Sequence, residues 1–381
     1  MGGDTNRLYL GYDGLRFEIT SPSSSHLKWV DEFLRPHFTN GFAGGEAVKV
    51  ELIVDPEEHE KRRRAMSPLS TVPVFVLDSQ VVHLPASRDG MGGYILYAEN
   101  FDAVFTVSAD RHCVRIILRE DGHTARSPLM KILREYAMND AQQRGDFFLH
   151  ASCFLGAHRP VVVTGPKNAG KTTLVMFACL RGGAKLLAND RVRVSSENGR
   201  PSIRGVPAIV SIREGSFEFF PEVGEELCRR QYHFRLNLDE TFQEARPPLR
   251  LGGKGRYLVT PLQFCRLLKT VQVPAAEEPI VVIPQITQRR GTCSARRLSG
   301  GEAFEALQES LFGARHWATS TPVFNLRAGR GVDEALLRRR CEEFAARNPF
   351  IACDIGQDFY GTEGAFRSWS DSLNRKTAGR R

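Results

Sequence analysis

The residues whose types and spacing best suit chemistry run from Gly165 to Thr173: Gly165-Pro166-Lys167-Asn168-Ala169-Gly170-Lys171-Thr172-Thr173. This is the phosphate-loop pattern G-x-x-x-x-G-K-[ST]. Gly165 and Gly170 permit backbone conformations that a Cβ forbids, so successive N–H groups can converge on an anion. A helix opening at Lys171 would aim the positive end of its dipole at the same place. In such a loop the lysine reaches the β- and γ-phosphates, and the hydroxyl of Thr172 is offered to Mg²⁺. Downstream, Asn189-Asp190-Arg191 presents an acid where a side chain could reach the γ-phosphate. Three roles are open to Asp190: a base taking the proton of an acceptor hydroxyl, a Mg²⁺ ligand, or a structural partner of Arg191. His150 would lie beside the loop, either tuning Asp190 and the phosphates or serving as a core histidine bonded to backbone.

These side chains need elements to hold them. Val161–Val163 is a β-branched strand into the loop, and Leu174 to Arg181 has the apolar spacing of a helix, ended by Gly182-Gly183. Phe147–Leu155 reads as one strand before it. Only Gly156-Ala157-His158-Arg159 separates that strand from the loop strand, so the two must be antiparallel if they pair, because a parallel crossover needs a dozen residues or more. The core sheet is therefore expected to be mixed. Ala184–Ala188 is a strand delivering Asn189 and Asp190, and Val192–Ser195 with Ser202–Gly205 form a hairpin. Val281–Ile286 and Val323–Leu326 read as strands, Gly301–Phe312 and Val332–Arg347 as helices.

Residues 1–145 read as a separate, mostly antiparallel module with helices. Hairpins are expected at 7–20 and 72–84, a helix at His26–Phe38, a strand at Val48–Val54, and a meander through Tyr94–Leu118. The charge run Glu57–Arg64 reads as a solvated loop, and His83, His112 and His123 as structural or exposed. Ser127-Pro128 starts a helix that Gly145 stops. Residues 146–350 form the expected catalytic domain, with Gln231–Pro248 a surface loop over the site. Residues 351–381 are a C-terminal extension whose basic end, from about Arg367, is expected to be disordered.

Composition is that of a globular chain, 41% hydrophobic and 25% charged over 381 residues. No apolar run is long enough for a membrane, and the N-terminus lacks a signal-peptide core, which points to the cytoplasm. Eight cysteines with no Cys-x-x-Cys pair argue against a zinc site or a disulfide framework. The balance of 52 Lys+Arg against 44 Asp+Glu is basic, but the excess is scattered, so nucleic acid is not the expected partner.

Leu149-His150-Ala151-Ser152, Thr164-Gly165 with Gly170-Lys171-Thr172, Arg181-Gly182-Gly183, Ala188-Asn189-Asp190-Arg191-Val192 and Gly205-Val206-Pro207 together resemble the catalytic domain of bacterial HPr kinase/phosphorylase and its relatives, over roughly 145–345. The resemblance implies an α/β (α+β) mixed-sheet P-loop kinase fold, like that of phosphoenolpyruvate carboxykinase. It also implies ATP and Mg²⁺ as cofactors, a protein, peptide or small-molecule hydroxyl acceptor, His150 as the family's histidine and Asp190 as its catalytic aspartate. Asn189 stands where the family commonly has a second aspartate, and Lys167-Asn168 replaces small residues. A kinase must also offset the charge of the migrating phosphoryl group, and Lys254, Arg256 and Arg213 are candidate clamps, with Arg289 and Arg290 behind them. The expected activity is an ATP-dependent kinase. A nucleotide-sensing module without turnover and a nucleotide hydrolase acting with nucleic acid are the rival readings. The acceptor and any homo-oligomeric state stay open.

Overall fold

The computed structural model describes residues 6–41, 46–66, 70–74, 82–122, 125–166, 168–197, 200–230, 255–287, 293–312, 322–326, 333–356, 358–362 and 364–377. They fall into two compact units, one built on Met1–Arg144 and the other taking most of the chain from Gly145 onward.

The first unit carries strands Asn6–Tyr12 (β1), Leu15–Ser21 (β2), Thr39–Asn40 (β3), Val48–Val54 (β4), Ser70–Val74 (β5), Val82–Arg88 (β6), Tyr94–Ala98 (β7), Ala103–Val107 (β8) and Cys113–Leu118 (β9). They form one sheet in the order β3-β1-β2-β4-β9-β8-β7-β6-β5. The two hairpins and the meander are antiparallel, but β4 runs parallel to both of its neighbours, β2 and β9. Helices Ser24–Leu34 (α1), Pro56–Ala65 (α2) and Arg126–Gln143 (α3) complete the unit. The charge run at 57–64 is thus a helix and not a loop. Asp55 caps it by accepting from the Glu58 N–H, Pro56 opens it, and Glu58 pairs with Arg62 one turn on. Helix α3 begins one residue before Ser127, which therefore does not cap it. His112 approaches Glu46 at 3.4 Å, while the side chain of His83 and all of His123 lie outside the described residues.

In the second unit the strands are Phe147–His150 (β10), Ser152–Leu155 (β11), Pro160–Val163 (β12), Lys185–Ala188 (β13), Arg191–Glu197 (β14), Arg200–Gly205 (β15), Val210–Arg213 (β16), Arg256–Val259 (β17), Ala275–Glu277 (β18), Ile280–Thr287 (β19), Cys293–Arg297 (β20) and Phe350–Gly356 (β21). The helices are Lys171–Gly182 (α4), Pro221–Arg230 (α5), Pro261–Leu267 (α6), Gly300–Ser310 (α7), Glu334–Arg347 (α8) and Ala365–Thr377 (α9). The core sheet has the order β13-β11-β12-β19-β21-β20. Strands β11 and β12 form the antiparallel hairpin expected from their short connection, and β12, β19 and β21 are parallel, so the sheet is mixed. Every residue of β12 is buried, as in a strand covered on both faces. A second sheet, β10-β14-β15-β18, is antiparallel.

Three expectations for the chain beyond Gly145 are corrected. The apolar run Phe147–Leu155 is two strands in two different sheets, broken at Ala151, whose N–H is held by the carbonyl of Asp190. The segment at 323–326 holds a 3₁₀ turn, Pro322–Phe324, and no strand. Beyond Arg367 the chain continues as α9 to Thr377, with Trp369 2% exposed against Phe154. A Cβ on Gly182 would lie 2.1 Å from the Phe366 ring, so glycine is needed where α9 crosses the end of α4. The stretch 231–248 lies outside the described residues. No helix among the described residues is long and apolar enough to cross a membrane.

Candidate functional site

Two chain segments leave the core sheet for the second sheet at the same place. One crosses at Ala151, between β10 and β11, and the other at Asn189-Asp190, between β13 and β14. The crossing is stitched by the Ala151 N–H to the Asp190 carbonyl at 3.2 Å, and His150 pairs with Arg191 in the β10–β14 ladder. That geometry puts four side chains, His150, Ser152, Asn189 and Asp190, at the mouth of the loop between β12 and α4. Below them, Arg193 sets its Nε 2.7 Å from Asp146 Oδ2, a buried pair tying the base of β10 to β14.

Asp190 reaches its position only with φ +88°, in the left-handed region that costs a residue with a Cβ on the order of 1 kcal/mol or more. Aspartate and asparagine tolerate it better than most. Its carboxylate is one-third exposed, with Oδ1 3.3 Å from His150 Nδ1 and Oδ2 3.5 Å from Arg191 Nε. Arg191 itself is buried, its guanidinium 4.2 Å from the Phe312 ring centroid. Burial pushes the His150 imidazole below its ordinary value; Asp190 opposes that shift, and Lys171 and Arg191 reinforce it. The imidazole is therefore neutral near pH 7, able to accept or relay a proton.

The loop itself leaves β12 through Thr164, whose N–H bonds to the Val282 carbonyl of β19 at 2.9 Å. Gly165 (φ +136°), Asn168 (φ +74°) and Gly170 (φ +88°) all adopt positive φ. Lys171 Nζ donates to the carbonyls of Gly165 (2.8 Å) and Pro166 (3.0 Å), which brings the ammonium back across its own loop. A lysine has three donors, so one is left for an anion. Burial lowers the Lys171 pKa and the charge of Asp190 opposes the shift, so ammonium and carboxylate sense each other. Thr172 Oγ1 donates to Asn189 Oδ1 at 3.3 Å, and Ser152 Oγ donates to the same oxygen at 2.9 Å.

Sequence-expected residues Gly165, Pro166, Asn168, Ala169, Gly170, Lys171, Thr172 and Thr173 thus form one loop and helix start, with His150 and Asp190 beside it. Lys167 and Lys254 lie outside the described residues, as do Arg289 and Arg290. Arg213 and Arg256 pair across from each other in the separate two-stranded sheet β16–β17, with no described bond to the loop. Sequence reasoning missed the parts played by Asn189 and Ser152. The signal was available: a serine and an asparagine flanking the two expected functional residues are short polar groups placed to bond each other.

The donor set suits Mg²⁺ in type. Thr172 and Asp190 supply oxygens, and because the Thr172 hydrogen is committed to Asn189, its lone pairs are free to face a cation. Among the described residues no group of three His, Cys, Asp or Glu side chains could hold a metal ion. A cation here would need phosphate oxygens and water to complete its shell, the usual arrangement for Mg²⁺ on a nucleotide.

No family model matches the chain, and no curated protein does. Among solved structures it is similar to the Hpr(Ser) kinase/phosphatase from Coxiella burnetii, at 12% identity over 40% of this chain and 70% of that one, with a TM-score of 0.22. That is a weak resemblance to a kinase/phosphatase, too low to assign a fold or a function.

Proposed function

We propose that the chain is an ATP- and Mg²⁺-dependent kinase that transfers the γ-phosphoryl group to a hydroxyl, on a serine or threonine of a protein or peptide or on a small compound. The observation that carries this reading is the left-handed Asp190, one-third exposed, with His150 on one side and the charge of Lys171 within electrostatic reach. Backbone strain of this kind persists where the surrounding structure fixes a side chain for a task. The loop N–H groups and Lys171 hold the phosphates, and Asp190 accepts the proton of the incoming hydroxyl as it attacks in line. His150, neutral and hydrogen-bond close, fixes the carboxylate's orientation. Mg²⁺, held by Thr172 and the phosphates, would supply charge neutralisation on the transferring group.

Incubation with γ-labelled ATP and candidate hydroxyl acceptors tests the reading. Transfer that needs both Lys171 and Asp190 supports it. Free-phosphate release that survives Asp190→Asn, with no transfer to any acceptor, counts against it. One observation favours a second reading, a nucleotide-sensing module without turnover: Asn189 leaves a single acid at the crossing, where a second carboxylate would add metal affinity. Calorimetry showing tight ATP binding without turnover selects that alternative.

A further inference from the structure

Beyond the loop, on the side away from Asp190, the edge of the core sheet carries features that the phosphate site does not use. Strands β13, β12, β19 and β21 end their C-terminal residues along one edge, with Asp190 following β13 at one end of that row. On the opposite side of β12, β19 runs along the loop. Its Ile283 Cγ2 would lie 3.6 Å from a Cβ on Gly165, and its Ile286 Cδ1 2.9 Å from a Cβ on Gly170. Ile286 is 39% exposed, one of three large hydrophobic side chains left exposed among the described residues. Tyr360 follows β21, is 1% exposed, and its hydroxyl has no hydrogen-bond partner among the described residues. That hydroxyl would be 3.6 Å from the same Gly170 Cβ. The Tyr360 ring is fixed from several sides by Phe177, Phe219 and Phe359, so the hydroxyl cannot turn away to water.

A buried hydroxyl without a partner is costly, and one set beside an exposed apolar side chain at the loop makes a small patch with an unmet hydrogen bond. In open α/β sheets, ligands lie outside the carboxyl ends of the strands. A nucleotide whose terminal phosphate faces Asp190 must lead its other end away from β13, across Gly170 and onto β19 and β21. We infer that Ile286 and Tyr360 form part of the subsite for the ribose and base of the bound nucleoside triphosphate. Ile286 supplies an apolar face to the base, and Tyr360 supplies a hydroxyl to the nucleoside's polar atoms at the helix start. This rests on the nucleotide-binding reading above, and it assigns a specificity role to residues outside the loop pattern.

Calorimetry with Mg²⁺-ATP and with Mg²⁺-tripolyphosphate, which has phosphates but no nucleoside, separates the two claims. Ile286→Ser is expected to weaken ATP about tenfold, a lost apolar contact, while adding no charge beside the loop and so leaving tripolyphosphate affinity unchanged. Tyr360→Phe keeps the ring packing and deletes only the unpartnered hydroxyl, so it should weaken ATP in the same selective way with a melting temperature at or above that of the wild type. Lys171→Ala should remove both ligands. The subsite is overturned if both variants affect the two ligands equally or neither variant affects ATP. It is also overturned if the wild-type chain binds tripolyphosphate as tightly as ATP, an outcome that leaves the phosphate loop intact. Wild-type protein that binds neither ligand overturns the nucleotide reading itself and the subsite with it.

Discussion

Replacing Asp190 in two ways separates the chemistry of its carboxylate from the strain of its backbone. Asparagine and alanine both delete the charge, so both lose the ionic part of the pairing to His150 Nδ1 at 3.3 Å and to Arg191 Nε at 3.5 Å. That charge contribution cancels between the two variants. What asparagine keeps and alanine lacks is a neutral acceptor oxygen and tolerance of the backbone at φ +88°. Asparagine hydrogen-bonds locally and tolerates this region, whereas alanine bears a crowding cost of ~1–2 kcal/mol. A difference of ~1 kcal/mol corresponds to about 2–4 °C in melting temperature for a domain of this size. Catalysis should respond differently. Removing a general base lowers a rate by about 10²–10⁴, equivalent to ~2.7–5.4 kcal/mol of barrier, and both variants should lose this equally. The assay is single-turnover transfer from γ-labelled ATP at saturating nucleotide, alongside scanning calorimetry. An asparagine variant that transfers at the wild-type rate would refute the base assignment. An alanine variant that melts with the asparagine variant would refute the strain argument.

Other outcomes follow from the same geometry. The His150 imidazole, depressed below 6.5 chiefly by burial, should titrate by NMR with a midpoint below that value; Asp190→Asn should move it further down and Lys171→Ala should move it up. Between the two midpoints the unfolded chain holds a proton that the folded chain does not, so this group's contribution to stability rises with pH and is complete above about 6.5. A midpoint at or above 6.5 would contradict the burial. Trp369→Ala should cost about 3–5 kcal/mol, a large share of a domain's net stability, and shift the urea midpoint accordingly; no shift would mean that α9 is a free tail. Asn189→Asp should make the melting temperature rise with added Mg²⁺, while chelator leaves the wild-type melting temperature unchanged. A wild-type chain destabilised by chelator would contradict the account of the crossing.

The loop and the hairpin entry were legible in the sequence because both are local. Four residues between Leu155 and Pro160 leave no room for a parallel crossover, and the glycine–lysine pattern needs no tertiary information. The break at Ala151 was not legible, since Phe147–Leu155 contains neither glycine nor proline. It is made by a distant partner, the Asp190 carbonyl. Helix α2 has almost no apolar periodicity and is held by its Asp55 cap and paired charges, a signal masked by reading a charge run as solvated. Helix α9 did carry a stripe, Ala365, Trp369 and Leu373 at four-residue intervals, but a window dominated by basic residues hid it. For the candidate site, the structure brings the loop, His150 and Asp190 together, and the hydrogen bonds among their neighbours were not legible. Short polar residues beside His150 and Asp190 hinted at a bond between Ser152 and Asn189, but not that the same Asn189 oxygen also accepts from Thr172.

That shared oxygen explains why a single carboxylate suffices at the crossing. An amide oxygen has two lone pairs, and Ser152 and Thr172 use both, so the crossing is satisfied without any charge at residue 189. A second aspartate there would set two like charges side by side near a strained backbone, and the folded state would then lean on a cation to offset them. With asparagine, the hydroxyl of Thr172 is oriented before any cation arrives, its hydrogen held back and its lone pairs turned outward. On the proposed reading this would trade metal affinity for a preformed site, in which the one carboxylate, Asp190, is shared between Arg191, His150 and the field of Lys171. On the proposed kinase reading, nucleotide phosphates would contribute most of the cation's ligands, so Mg²⁺ is expected to enter with the nucleotide and not ahead of it.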